Sequence, residues 1–500
     1  MSILKSKKLG MITSYIMILA NSLSSIILVP FYLRYLGVEG YGFYQMIYSV
    51  ASYILVWDFG ISTTMVRFIT EYRVKKDEKG ARNFAGHCAV IVAILSTLIA
   101  IIGIVVSCFI GDIYGTLTPD KVVLGQKMFR LMIIVLVMTV VEHYFEGIAM
   151  AHELFSVAKI IGTFKILLKF VLVVLFLRGQ LGVLSLVYVD IISFAVSLAF
   201  YFFYDFFVIK FKVRLYHFDK KILTSLSSFM LAIMLQSIVA YLNNTVDKTI
   251  LGIMLGETAS GIYGLAMVFI TVFNMLPTST LTIFLPKATI MVVEGNDMTQ
   301  QTEVAIKLGR YQMILCGGML SAFFVVGRDF ITLWAKTNVS EVWWTALIIM
   351  IPNAIPLIQN YCLNVLDAMK KRLFRSLVLL GLSSANIILT VFMIKWWGIL
   401  GAAIATAIVY VIGHGIVMNI NYHRKIGLQI PRMWKGILHR LLLCVLLTTI
   451  VTVPLMLYKM VTIWSFIAKC LIWIIAYAIC LWVIGLNKAE KSSIKSMLKR

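Results

Sequence analysis

Four ionisable residues at one helical spacing could do chemistry inside this chain: Glu142 and Glu146, then Lys165 and Lys169. Each pair is four residues apart and so shares one helix face. Both fall in apolar stretches where an isolated charge is expensive. Two chemistries follow. The carboxylates could pair with the lysines as structural ion pairs that let neighbouring helices insert together. Alternatively, a lysine faces a cleft and attracts an anionic head group, since a compact ammonium with three donors meets phosphate oxygens well. Counting from the turn near 153–154, Glu142 and Lys165 lie at similar depth; counting from the turn near 180, Lys169 and Asp190 are level. Lys169, nearest the midplane, is the stronger candidate for the cleft.

Other polar residues fall within apolar stretches. Asp58, in Asp58-Phe59-Gly60, could take a proton or a cation, or pair with a neighbour. Arg67 lies near an interface, where snorkelling explains it. Asp247 and Lys248, near the end of a helix, read as gate or interface residues. Pro277, Pro286, Pro352 and Pro356 break or kink helices. Asn353, Asn360 and Asn364 share one face, with Gln359 adjacent. They could bond sugar hydroxyls or hold helices together. Trp334, Trp343, Trp344, Trp396, Trp397 and Tyr458 read as interface anchors. His143 and Glu146 share a face, which is far short of a metal site. The seven cysteines, odd in number and without paired spacing, are packing residues. No G-x-x-x-x-G-K-[ST], H-E-x-x-H or G-x-S-x-G motif is present, so the reading is of a protein that is not an enzyme and needs no cofactor or metal.

The elements that must position these residues are membrane helices. Of 500 residues, 61% are hydrophobic and 13% charged, against about a quarter charged in soluble chains. The apolar surplus comes in stretches of about twenty residues, the length that crosses a hydrocarbon core. There backbone amides must be paired within the segment. About fourteen such stretches follow, from 11–33 and 41–66 to 440–457 and 463–486. The fold class is therefore an all-α polytopic membrane protein. The lysines at the start mimic a secretory signal, but no small-residue cleavage site follows, so the first stretch reads as a retained helix.

A net charge of +23 would suit nucleic acid, but its placement points to no nucleic-acid partner. With Lys5, Lys7 and Lys8 cytoplasmic, basic residues gather in alternate connections. Examples are Arg73, Lys75, Lys76, Lys79 and Arg82, then Lys210, Lys212, Arg214, Lys220 and Lys221, then Lys370, Lys371, Arg372 and Arg375. About 32 of the 45 Lys and Arg lie inside under this orientation and about 10 outside, as the positive-inside rule requires. Both termini are then cytoplasmic.

An internal repeat organises the helices. Leu36-Gly37, Gly42 and Tyr44 match Leu255-Gly256, Gly261 and Tyr263 at an offset of 219. Ala149-Met150, Leu154 and Phe155 match Ala368-Met369, Leu373 and Phe374 at the same offset, as do Gly179 and Gly182 with Gly398 and Gly401. Residues 1–219 and 220–438 thus read as two parallel six-helix lobes. Residues 439–500 add two helices and a basic tail. Two such lobes leave a central cleft that can open to either side.

Specific motifs carry a family resemblance. Pro30-Phe31-Tyr32, Tyr35-Leu36-Gly37 and Gly40-Tyr41-Gly42 resemble the first hairpin of polysaccharide flippases. Asp58-Phe59-Gly60-Ile61-Ser62-Thr63 with Arg67-Phe68 is similar to the same family, as are Asn244, Asp247-Lys248 and Gly398-Ile399 with Gly401-Ala402-Ala403. The chain resembles the O-antigen and capsule repeat-unit branch of the multidrug/oligosaccharidyl-lipid/polysaccharide exporter superfamily. The resemblance implies alternating-access translocation of a polyprenyl-diphosphate-linked oligosaccharide across a bacterial cytoplasmic membrane. The extra helical pair would offer a groove for the polyprenyl tail. Implied partners are the lipid-linked oligosaccharide, membrane lipids, and a polysaccharide polymerase with other assembly proteins. Two rivals remain: a cation-coupled drug antiporter using Asp58, Asp190, Glu142 and Glu146, and a membrane polymerase or ligase, for which the outer connections are short.

Overall fold

The computed structural model describes the chain apart from residues 1–2, 59, 180, 218–219, 296, 370, 459–461 and 499–500. Some helical side chains also lie outside the described set, among them Lys5, Lys7, Lys8, Lys220, Lys221, Asn244, Pro286 and Arg372. The apolar stretches form helices throughout, because a backbone without water must bond to itself. In order they are α1 (Ile3–Ile54), α2 (Ile61–Val74), α3 (Glu78–Cys108), the single turn α4 (Ile110–Ile113), α5 (Pro119–Ala151), α6 (Phe155–Arg178), α7 (Leu184–Phe203) and α8 (Lys220–Leu255). Then come α9 (Glu257–Val293), α10 (Met298–Trp334), α11 (Val339–Ile358), α12 (Asn360–Ala368), α13 (Arg372–Tyr410) and the short α14 (Met418–Asn421). The chain finishes with α15 (Ile430–Leu438), α16 (Leu441–Thr452), α17 (Ile463–Cys480) and α18 (Lys488–Leu498).

Among the described residues, 11 helices are long and apolar enough to cross a membrane. Two of these are double. The first bends at Gly37, whose φ of 69° and ψ of 178° fit no helix. As a result the rings of Tyr32 and Tyr41 stack at 5.8 Å, whereas nine residues of straight helix would separate them by about 13 Å. The second bends at Gly398 (φ 55°). A Cβ on Gly401 would meet the Met393 carbonyl oxygen at 2.1 Å, which a straight helix could not bring there. Counting both bends and adding α8, the 36-residue helix Lys220–Leu255, recovers the fourteen crossings expected. The protein is an all-α polytopic membrane protein.

The chain forms two compact units, Met1–Gly264 and Leu265–Arg500. In the first, α6 lies along α1 and α7, and α5 packs against α2, α3 and α7. Met46, Ile47, Met65, Phe84, Phe129 and Val140 make its core, all but fully buried. α8 belongs here because it packs on α1 and on the turn Leu55–Asp58, through hydrogen bonds such as Tyr53 with Thr249 at 3.0 Å. Gly37 and Gly256, equivalent at the offset of 219, both hold left-handed backbone, φ 69° and 84°.

In the second unit α10 is the central mast, packed by α11, α15, α16 and α17. The C-terminal hairpin is fastened along it. Lys469 donates to Asp329 at 2.5 Å, Thr449 to Ser321 at 2.8 Å, and the Tyr477 hydroxyl to the Ile314 carbonyl at 2.6 Å. Trp334 and Trp343 depart from the expected anchoring role: both are buried. Trp334 meets the rings of Phe269 and Phe330, while Trp343 donates its indole N–H to the Phe323 carbonyl at 3.1 Å. Trp344, Trp396, Trp397 and Tyr458 are exposed. Most cysteines are buried or half-buried, but Cys108 is exposed.

Candidate functional site

α6 turns Ile160, Phe164, Leu167, Val171 and Leu175 outward, an apolar stripe at spacings of three and four that suits lipid. Lys165 and Lys169 lie on the other side of the helix. Lys165 Nζ donates to both oxygens of Glu142 on α5, at 2.8 and 2.9 Å. It also sits 4.1 Å from the centre of the Phe194 ring. Ser197 of α7 donates to one of the same oxygens at 2.8 Å, so three helices meet at one buried carboxylate. Lys169 pairs with Asp190 of α7, and the Tyr44 hydroxyl donates to the other Asp190 oxygen at 3.4 Å. The structure thus joins the two pairs that depth counting made level. They differ in access: the Lys165 side chain is 24% exposed against a Glu142 nearly sealed at 7%, whereas Lys169 keeps 37%.

Asp58 comes from a different local structure. The helix tightens into the 3₁₀ turn Leu55–Asp58 and restarts after Gly60, which is left-handed at φ 62°. This offset brings Asp58 Oδ2 to 3.0 Å from Nδ1 of His143 on α5. The other Asp58 oxygen is buried with no partner among the described residues. Glu146 is half-buried one turn beyond Glu142. Sequence reasoning set His143 aside as a poor metal ligand and missed it as a carboxylate partner; only the break at Gly60 aligns them. Arg67 is exposed, its guanidinium 5.4 Å from the Phe68 ring centre.

At the end of the unit that the sequence assigns to the outside, Asp247 is buried and accepts from the Tyr263 hydroxyl at 2.6 Å. Lys248 Nζ lies 3.3 Å from Oε1 of Gln45, whose amide nitrogen donates to the Tyr41 hydroxyl at 2.7 Å. Lys121 pairs with both Glu39 and Glu257. Here two backbones touch. A Cβ on Gly42 would fall 1.8 Å from the Glu257 carbonyl oxygen, and one on Gly261 2.7 Å from that of Val38. Only glycine fits such an approach.

The amides of the second unit meet a different environment. α11 contains Pro352 and Pro356 and ends at Ile358; α12 restarts at Asn360. Asn353 donates to the Asn274 side-chain oxygen at 2.7 Å. Asn360 donates to the Pro277 carbonyl at 3.4 Å, and Gln312 to the same carbonyl at 3.0 Å. Gln359 donates at 3.1 Å to the carbonyl of His414, inside the π-helical stretch Val411–Val417, where the widened turn disturbs the usual bonding ladder. Asn364 is buried on α12. These amides knit broken helices together.

The family described as polysaccharide biosynthesis protein matches residues 9–289. None of the curated proteins compared with the chain matches it. Among solved structures, the lipid II flippase MurJ in an inward closed conformation superposes with a TM-score of 0.72 at 15% identity, covering 98% of this chain and 100% of its own. An inward-facing multidrug resistance MATE family transporter of the MOP superfamily gives 0.68 at 13% identity, over 83% and 96%. The MATE multidrug transporter DinF-BH gives 0.60 at 14%, over 84% and 96%. These likenesses establish the fold. The match over more than half of its length makes the chain a member of the polysaccharide biosynthesis protein family.

Proposed function

We propose that this protein flips polyprenyl-diphosphate-linked oligosaccharide repeat units across a bacterial cytoplasmic membrane by alternating access, for O-antigen or capsule assembly. The observation that carries the reading is the lysine face of α6. Two cations stand opposite the lipid stripe, each held by a carboxylate, in a member of a polysaccharide biosynthesis family. A diphosphate entering the cleft would replace Asp190 as counter-ion to the accessible Lys169 and return it on leaving. Lys165, more deeply paired, would fix the local field. Such an exchange needs no covalent chemistry. Asn353, Asn360 and Asn364 would line the cleft from the second lobe. Asp58 with His143 is our choice for taking up a coupling proton or cation, with Glu142, Glu146 and Asp190 as counter-charges. Asp247 and Lys248 would serve the outer gate.

The same reading takes residues 1–219 and 220–438 as two copies of a six-helix lobe, with 439–500 added, and both termini cytoplasmic. A polysaccharide polymerase and other assembly proteins would act with it. A second reading, a cation-coupled drug antiporter, draws support from the MATE likenesses and from the carboxylate–imidazole pair.

Proteoliposomes carrying a fluorescent polyprenyl-diphosphate oligosaccharide test the proposal, with wild type compared to Lys169→Ala and Lys165→Ala. Flipping by wild type and its loss in correctly folded Lys169→Ala is the expected result. Flipping by both variants at the wild-type rate would make the lysines structural. Export of cationic dyes without lipid movement would install the antiporter reading.

A further inference from the structure

The stretch Tyr41–Ile54 of α1 shows an unusual surface for a membrane helix. Its apolar side chains are all buried: Phe43, Met46, Ile47, Val50, Ala51 and Ile54 are each at 9% exposure or less. The residues that remain reachable are polar or aromatic. Tyr48 is 40% exposed, and Tyr44, Gln45 and Tyr53 are half-buried. A face turned to lipid would carry an apolar stripe, as α6 does at Ile160, Phe164, Leu167, Val171 and Leu175. A face with reachable tyrosines and a glutamine is one that meets water and polar ligands.

Tyr48 is also braced. Its ring stacks on Tyr44 with centroids 5.8 Å apart and planes 18° from parallel. The Tyr44 hydroxyl in turn reaches to 3.4 Å from Asp190, the carboxylate that holds Lys169. The bend at Gly37 places Tyr32 and Tyr41 alongside as a second stacked pair. A rigid aromatic face therefore lies next to the accessible cation, about two helical turns in from the bend. An aromatic face beside a phosphate-binding cation is suited to a ring that is polar at its rim and carbon–hydrogen on its face.

We propose that Tyr48, braced by Tyr44, is a sugar platform: it receives the pyranose ring attached to the diphosphate while Lys169 holds the phosphate. This deepens the flippase reading and rests on it for the diphosphate, though not for the sugar. Gln45, adjacent and bonded to Tyr41 and Lys248, offers an amide to ring hydroxyls. The platform selects for an aromatic-facing pyranose rather than for the lipid.

The test uses the full chain purified in maltoside-free detergent and three probes. These are citronellyl diphosphate, citronellyl-diphosphate-N-acetylglucosamine, and octyl β-glucoside as a phosphate-free sugar, each titrated by calorimetry. Wild type is expected to bind the sugar-bearing diphosphate about ten-fold tighter than the bare one, the scale of one aromatic contact. Tyr48→Ala should erase that preference and leave bare-diphosphate binding in place. Tyr48→Trp should keep the preference, which guards against a folding artefact. Equal affinity for the two diphosphates in wild type, or a preference that survives Tyr48→Ala, overturns the platform. If neither diphosphate binds but octyl β-glucoside does, in a Tyr48-dependent way, the platform stands and the lipid-diphosphate reading falls.

Discussion

In the first unit polar side chains set among the helices meet in pairs: Glu142 with Lys165 and Asp190 with Lys169 as ion pairs, and Asp58 bonded to His143. In the second unit the groups around the proline-broken helices are neutral amides, Asn353 on Asn274 and Asn360 and Gln312 on the Pro277 carbonyl. Two of its ion pairs among the described residues, Lys469–Asp329 and Arg310–Glu490, fasten the C-terminal hairpin and tail instead. The difference separates two tasks. A charge pair can exchange one partner for an incoming ion, whereas an amide satisfying a displaced carbonyl has no reason to let go. Under the proposed function the first unit would trade partners, while the second would hold its shape.

The sharpest way to break this contrast is to strand one charge. Lys165→Ala should destabilise the protein by about 3–5 kcal/mol, because Glu142 is left buried without its cation. Lys165→Ala combined with Glu142→Ala should recover most of that loss in thermal unfolding in detergent. A single variant as stable as wild type would mean that the pair is not held as charges.

A pH test probes the fastening pairs. Burial pushes the Glu490 carboxyl up, but bonds from Arg310 and the Asn487 amide outweigh it and hold the group below its ordinary 4.5. A depressed carboxyl stabilises the fold fully above its unfolded value and loses that contribution as pH falls through its folded one. The hold on α18 should therefore be complete above about pH 4.5 and fade below it. Limited proteolysis in steps from pH 7 down to about pH 2 would show α18 held at neutral pH and released only below about pH 4.5. Release at neutral pH would show that Glu490 does not anchor it.

Smaller effects should mark the neutral unit. Asn353→Leu should cost about 0.6 kcal/mol and no more than about 1.7, the range for single polar contacts between membrane helices. A loss as large as that of Lys165→Ala would erase the distinction between the units. Glu39→Ala is expected to have the least effect on stability, at most about 1 kcal/mol and less in salt, since its side chain is 60% exposed and Lys121 keeps Glu257 as a partner. A salt-insensitive loss would place that cluster in a drier setting.

Part of this arrangement was legible in the residues. Rise per residue is constant along a helix, so depth counting could level Glu142 with Lys165 and Lys169 with Asp190 before any coordinates. Distances across irregular backbone obey no such ruler. Asp58 reaches His143 only because the helix tightens at Leu55–Asp58 and resets at Gly60. Tyr32 reaches Tyr41 only through the bend at Gly37. Trp334 and Trp343 look like anchors by type and position, but ring packing drew them inside. The offset of 219 is a property of the sequence pattern. The compact units divide at Gly264 because α8 packs on α1, a preference that no repeat encodes.

Arg310 gives the molecule a timing problem. Its guanidinium donates to both Glu490 oxygens at 2.7 and 2.9 Å, and to the carbonyls of Gly485, Gly436 and His439. Glu490 leaves the ribosome 180 residues after Arg310, and the other three partners each leave more than 125 residues after it. While the chain is being made, α10 must carry that cation, twelve residues in from its start, without these partners. Closure of that bond reports that the hairpin and tail have arrived. A chain stopped before Glu490 would keep the guanidinium waiting, and quality-control proteases would find its unfinished end.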